Sequence, residues 1–266
     1  LVIDDAGGRA QWIPISHNIP GFPGGISGND YLSLLREQAT RYGAVLRPGR
    51  VNKLIRLGGL FHAIGEGFEI TAPLVILATG VIDITPAVPN LEQAVARGLI
   101  RLCPICDGYE ARNKAIGVVG SGRRAVSEGK FLASYTKRIT LLGTVQDPLS
   151  EEAREAAVEA GLPVVDSLAA LEVRDQTVAA TLGNGETLIF DAVYAAMGNT
   201  PRTTLATALG VTCNEAGCIE TDDHRRTNVP GVYAIGDVVD ELNQVSVAAG
   251  HAAVAATDVH NVMRAS

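Results

Sequence analysis

Apolar and polar positions fall into blocks along this chain that switch between the period of a strand and that of a helix. Residues 1–5 form an apolar run ending in acid and predict a buried strand. A loop rich in Pro and Gly follows (Ile19-Pro20-Gly21-Phe22-Pro23-Gly24-Gly25), then an amphipathic helix over residues 29–42. In that helix Leu32, Leu34, Leu35 and Ala39 fall near one face, and Arg36, Glu37 and Arg41 largely on the other. Short strands with Gly turns are predicted at 51–57, 60–65 and 68–71. The run 74–80 is continuously apolar and closes on Thr79-Gly80, the signature of a parallel strand buried on both faces.

A second unit begins near residue 99. Strand 115–120, helix 123–135, strand 138–143, helix 150–160 and strand 162–165 alternate, which predicts an open parallel sheet with right-handed crossovers. Strand signals return over 171–196, with the turn Gly183-Asn184-Gly185 between them. One more buried strand ends at Gly236-Asp237, and a helix of small residues runs over 244–263. No solenoid repeat or low-complexity tract interrupts this order. The expectation is an α/β chain of two Rossmann-like, three-layer nucleotide-binding domains, the second inserted in the first. The first would comprise 1–99 and 226–266, and the second 100–225.

Composition narrows the function classes. The 266 residues are 47% hydrophobic and 19% charged, which excludes a disordered chain. No apolar run approaches the roughly 18 residues of a membrane span, and no signal-peptide pattern opens the sequence. A net charge of −7 argues against nucleic acid or an anionic membrane as partner. The opening Leu1-Val2-Ile3-Asp4-Asp5, without Met, reads as the interior of a longer product.

Gly120-Ser121-Gly122-Arg123-Arg124-Ala125 is a GxGxxA between a strand and a helix. In a dinucleotide site the first Gly makes the turn, the second admits a pyrophosphate and the small third residue lets helix and strand pack. The alternative is a Gly-rich turn without ligand. An acid at the end of the next strand would select a ribose hydroxyl and arginines a 2′-phosphate. The chain offers Gly143-Thr144-Val145, which is neither.

Cys103-Pro104-Ile105-Cys106 is the strongest chemical signal. This spacing lets two sulfurs meet at a helix N-terminus, where one thiol is activated for exchange. Half of a zinc site and an inert pair are the alternatives, the former needing two more ligands. Asp107 is placed to protonate a departing thiolate, or is an ordinary acid at a helix start. Cys213 and Cys218, the remaining thiols, read as packing residues, and the five histidines show no metal spacing.

Six pieces in order resemble the low-molecular-weight thioredoxin reductases among the two-domain flavoproteins. They are Asn18-Ile-Pro-Gly-Phe, Ile76-Leu-Ala-Thr79-Gly80, Cys103-Pro-Ile-Cys106-Asp107-Gly, the GxGxxA, Ala196-Met-Gly-Asn-Thr-Pro, and Thr227-Asn-Val-Pro-Gly-Val-Tyr-Ala-Ile-Gly236-Asp237. Gln244-Val245 matches where that family sets backbone N–H groups against the flavin ring. The resemblance implies a cytoplasmic homodimer with FAD in the first domain and a redox disulfide in the second. Cys106 would face the flavin, Cys103 would attack the substrate disulfide and Asp107 would donate the proton. Asp237 would hold the ribityl–phosphate region and Asp4 the adenosine ribose. Domain rotation would let the disulfide alternate between flavin and partner.

Three departures stand beside the resemblance. The opening strand, GxGxxG and helix of the FAD domain, roughly 30 residues, are not in this sequence, so an N-terminally clipped product is expected. The basic pair for the NADPH 2′-phosphate is replaced by Thr144-Val145, leaving NADPH, NADH or another donor open. Pro-Ile between the cysteines resembles relatives that oxidise small dithiols, such as the gliotoxin and holomycin disulfide-forming enzymes, which carry His where this chain has Asp107. The leading expectation is FAD-dependent reduction of a thioredoxin-like protein disulfide. The rivals are a small-molecule dithiol oxidase and a non-catalytic redox-sensing or nucleotide-binding module.

Overall fold

The computed structural model describes residues 1–265. Its largest sheet has seven strands, in spatial order Thr187–Phe190, Thr177–Leu182, Val164–Arg174, Ile139–Thr144, Ile116–Val119, Ala192–Ala195 and Ile100–Arg101. The last five are parallel, and the first two are added antiparallel as hairpins. Successive side chains of a strand point to opposite faces, which explains the unbroken apolar runs. Val118, Leu141 and Tyr194 pack on one face against Ala125, Val126 and Leu132 of the helix Arg123–Leu132. Their neighbours Val119, Leu142 and Val193 fill the other face with Leu168, Val178 and Phe190. Leu141 and Leu142 are wholly buried, so truncating either to Ala costs about 2–5 kcal/mol.

The first unit is built from smaller sheets. The antiparallel strands Val51–Leu57, Leu60–Gly65 and Phe68–Ala72 match the predicted spans almost residue for residue. Two parallel pairs lie beside them: Val2–Asp4 with Leu46–Pro48, and Val75–Leu77 with Val232–Ala234. Two expectations are corrected here. The opening strand is exposed rather than buried, and the run 74–80 yields only a three-residue strand whose Ile76 is 40% exposed. A parallel strand is buried on both faces when neighbours and helices surround it; each of these has one strand partner.

The helix Gly28–Arg41 starts at Ser27, whose hydroxyl accepts the Asp30 N–H and donates to the Asp30 carboxylate. Gly28 is required there, because a Cβ would lie 1.7 Å from the Ala10 carbonyl oxygen. The expected apolar face is only partly buried. Leu34 and Leu35 are 48% and 41% exposed and line a groove with Phe22 and Tyr31. Ile19, Pro20, Ser246 and Ala249 also line this groove.

The units join through the antiparallel pair Val81–Asp83 and Asn199–Pro201. The Arg202 N–H donates to Gly80 O, and the Thr79 hydroxyl donates to Arg202 O. Beyond this junction the chain returns to the first unit, where Ala206, Val211 and Ile219 share a core with Leu54, Phe61 and Val232. We therefore propose that the domain boundary lies just after Pro201, ahead of the expected one at residue 225. The final helix, Val245–Ala265, is anchored by Asp258, which pairs through both oxygens with Arg226 and accepts the Tyr233 hydroxyl.

Candidate active site

Cys103 and Cys106 are joined as a disulfide. The local sequence builds the turn that allows it. Cys103 is extended and caps the helix Pro104–Asp107, with Pro104 at the first helical position, where a missing N–H costs nothing. The Cys106 N–H donates to Cys103 Sγ at 3.2 Å. The helix lasts one turn before tightening into the 3-10 turn Gly108–Ala111. The support for a thiolate that the structure shows is therefore this direct N–H contact rather than a long helix dipole.

Gln244 faces the pair from the other unit. Its side-chain nitrogen lies 3.4 Å from both sulfurs, and its side-chain oxygen accepts from Asn18 Nδ2 at 2.9 Å. Asn18 is itself held by the Ser16 hydroxyl. The Gln244 backbone N–H donates to Leu242 O, so the side chain and not the amide meets the sulfurs. A cavity of about 310 Å³ opens beside the disulfide, lined by Arg9, Cys103, Glu128, Asn199 and Gln244 among others.

Behind the disulfide lies a buried ionic cluster. Asp107 accepts the Tyr194 hydroxyl on Oδ1 at 2.7 Å and pairs through Oδ2 with Arg101 Nη1 at 3.2 Å. Burial pushes the Asp107 carboxyl above its ordinary range, although Arg101 and Tyr194 pull the other way. Arg101 is 7% exposed and also approaches Glu110 Oε2 at 3.5 Å. Burial opposes its charge, but Asp107, Tyr194 and Glu110 outweigh that and hold the guanidinium protonated. Burial and the Asp107 charge together push the Tyr194 phenol far up, so it keeps its proton and donates it to Asp107. Glu110 Oε1 in turn lies 2.8 Å from His17 Nδ1 across the gap between the units.

The predicted flavin residues are partly brought together. Asp237 follows Gly236, whose φ of +71° suits glycine and whose N–H donates to the buried His251 Nδ1. His251 Nε2 therefore carries the proton and meets Glu241 Oε2 at 2.9 Å. Arg9 ties Asp237 (3.2 Å) to Asp83 (2.7 Å). Asp4 stands apart, bonded to Arg36 and the Ala6 N–H, and Thr79 and Gly80 sit at the junction of the units. Measured against FAD, these residues fit the ring and ribityl end: a cavity borders the disulfide, and a tight glycine turn presents an acid. For the pyrophosphate end, the described residues of the first unit hold no GxGxxG turn between a strand and a helix.

The second unit does have that turn. A Cβ on Gly120 would lie 2.6 Å from the Ala196 carbonyl oxygen, and Ala125 is fully buried, so both are fixed by packing. Gly122 has open space around its Cα, the room a ligand needs. Of the adjacent cations, Arg123 pairs with Glu152 and Arg124 with Glu128. Thr144 ends its strand with its hydroxyl turned to Asp147.

Sequence reasoning missed Arg9, Arg101, Glu128, Tyr194 and His251. Arg101 carried a signal, a charge two residues before Cys103 in an apolar run; the others had none. Glu128 lines the cavity with one carboxylate oxygen unpartnered, and burial pushes its pKa up to about 7. Cys213 and Cys218 are free thiols on a turn in the first unit's core region. Among the described residues no group of three His, Cys, Asp or Glu is placed to hold a metal ion, and no helix is long and apolar enough to cross a membrane.

Comparison with known proteins agrees with this arrangement. Residues 33–252 match the pyridine nucleotide-disulphide oxidoreductase family. A thioredoxin reductase of Treponema pallidum is 33% identical, over 96% of this chain and 86% of that protein. The thioredoxin reductase of Streptococcus pyogenes superposes with a TM-score of 0.88 at 27% identity, covering 100% of this chain and 90% of its own. That of Lactococcus lactis, solved in what is called its FR conformation, is 28% identical over 97% and 89% of the chains, yet reaches a TM-score of only 0.58. Equal coverage with a lower score means a different overall arrangement of a similar chain. A bonded CxxC beside a cavity, two nucleotide-type units in one order and matches along nearly the whole length converge, and the chain belongs to the pyridine nucleotide-disulphide oxidoreductase family, in its thioredoxin-reductase branch.

Proposed function

We propose that this protein is an FAD-dependent disulfide reductase that passes electrons through Cys103–Cys106 to a thioredoxin-like protein. The observation that carries the reading is the Cys103–Cys106 disulfide, met by the Gln244 side chain of the first unit and followed directly in the chain by the buried acid Asp107. Gly236, Asp237, Asn18 and Gln244 would hold the flavin ring and ribityl chain, with Arg9 orienting Asp237. When bound there in reduced form, the flavin supplies the electron pair that opens the disulfide.

The chain's own residues do the rest. In the reduced state Cys103 is the thiolate, Cys106 a thiol and Asp107 a neutral carboxylic acid. Cys103 Sγ attacks one sulfur of the substrate disulfide, that S–S bond breaks, and the departing thiolate takes the Asp107 proton. Cys106 then gives its proton to Asp107 and attacks Cys103 Sγ. The mixed disulfide breaks, and the second thiolate again takes the proton from Asp107. One dithiol and one disulfide become one disulfide and two thiols, with the protons accounted for.

The surface around the pair favours a protein substrate. Ile105, Tyr109 and Phe131 are exposed next to the disulfide, with Tyr109 and Phe131 both against Tyr135, and Arg112 lies over the Tyr109 ring at 3.8 Å. Aromatic and Arg side chains are the common anchors of protein interfaces. The test is a coupled assay of the FAD-loaded protein with NADH or NADPH and thioredoxin. Turnover by wild type and its loss in Cys103→Ser are expected. Equal rates in the two, or oxygen uptake driven by small dithiols without thioredoxin reduction, would overturn the reading.

A further inference from the structure

We propose that Arg101 and Tyr194 are positioning residues for the proton donor, a clamp built into the sheet that holds one Asp107 carboxyl oxygen each. This deepens the reading above and rests on Asp107 being the acid. The two residues are paired neighbours on adjacent parallel strands, Tyr194 opposite Arg101 in register, so their side chains rise from the same rigid face.

The contacts form a directed chain. Arg101 Nη1 donates to the Tyr194 oxygen at 3.4 Å, and the Tyr194 hydroxyl donates onward to Asp107 Oδ1 at 2.7 Å. The same guanidinium pairs with Asp107 Oδ2 at 3.2 Å and donates to the Asp107 main-chain oxygen at 3.1 Å. Arg101 Nε is spent on Gly98 O at 2.9 Å, which fixes the plane of the group. Linked hydrogen bonds of this kind polarise one another in a low-dielectric setting.

An apolar residue would be the cheaper occupant of a strand position this buried. The clamp has a use because Asp107 sits on the same short turn as both cysteines. That turn must rearrange whenever the disulfide opens, while the strands beneath it need not. Holding both carboxyl oxygens from the sheet keeps the acid in place through the cycle. It also opposes burial, which alone would leave Asp107 reluctant to give up its proton. The charged or titratable groups facing this carboxyl are Arg101 from its strand, Tyr194 from the next, and Glu110 from the following turn, itself paired with His17 of the first unit.

The test compares Arg101→Met, Arg101→Lys, Tyr194→Phe and Asp107→Asn in the FAD-loaded protein. Thioredoxin reduction is followed against pH, and the Asp107 side-chain carbon is titrated by NMR in protein labelled at aspartate. Loss of the Arg101 or Tyr194 contact moves the Asp107 titration and the alkaline limb of the rate profile to higher pH. Arg101→Lys restores both toward wild type. Tyr194→Phe keeps the ring and its packing, so it carries the test if Arg101→Met fails to fold. A limb and an NMR midpoint unchanged in Tyr194→Phe and in whichever Arg101 variants fold would overturn the clamp. An Asp107→Asn protein with the wild-type rate and limb would instead remove Asp107 as donor.

Discussion

His17 Nδ1 lies 2.8 Å from Glu110 Oε1, joining a loop of the first unit to the turn that follows the redox cysteines of the second. Any swing of the disulfide away from Gln244 must break this contact. Both side chains are partly exposed, so the pair is worth about 0.5–1 kcal/mol. His17→Ala therefore speeds reduction of Cys103–Cys106 by dithiothreitol about two- to fivefold. An unchanged rate would show that the contact does not restrain the disulfide.

Glu128 gives stability a pH slope of known sign. Its carboxyl is raised from 4.5 to about 7 by burial, only partly offset by Arg124 and Arg9. The folded protein thus holds this proton more tightly than the unfolded chain does. The resulting stabilisation is complete below about pH 4.5 and is lost as pH rises through about 7. Glu128→Gln removes the slope, and at pH 8 the variant is more stable by up to about 3 kcal/mol. Urea unfolding of both proteins at pH 5 and pH 8 measures it, and a wild-type slope in the variant would refute the assignment.

The two glycines of the nucleotide turn separate packing from binding. Gly120→Ala forces a Cβ against the Ala196 carbonyl and destabilises by about 1–3 kcal/mol, seen as a lower melting temperature. Gly122→Ala meets nothing within 4 Å and has an extended backbone any residue can adopt, so it melts as wild type. Its expected defect is weaker nicotinamide nucleotide binding by calorimetry. Normal binding in Gly122→Ala would mean that no pyrophosphate approaches this turn.

What could be read in advance follows a physical division. Strands such as Val51–Leu57 and helices such as Arg123–Leu132 announce themselves because their pattern is local, and Cys103 and Cys106 because their chemistry is local too. Arg9 meets Asp237 across more than two hundred residues, and His251 meets Gly236 through a backbone amide; neither leaves a pattern at its own position. The overstated burial of residues 1–5 and 74–80 has another origin. Apolar composition reports what a strand is suited to, whereas burial depends on which neighbours it finds.

Nucleotide choice is decided at the end of the strand Ile139–Thr144. A 2′-phosphate is held by arginines there, and each such charge-assisted contact is worth about 1.5–3 kcal/mol. Here Thr144 turns its hydroxyl to Asp147, and the exposed Val145 offers no donor side chain. Of the arginines on the two neighbouring helices, Arg123 pairs with Glu152 and Arg154 with Asp166. The extra phosphate of NADPH is therefore expected to find no cationic partner at Thr144 or Val145. NADH is expected to bind as tightly as NADPH or more so, and Thr144→Arg with Val145→Arg to strengthen NADPH alone by about ten- to a hundredfold. Equilibrium titration of both nucleotides against both proteins settles the point, and a wild-type preference for NADPH of tenfold or more would mean that other cations reach the phosphate.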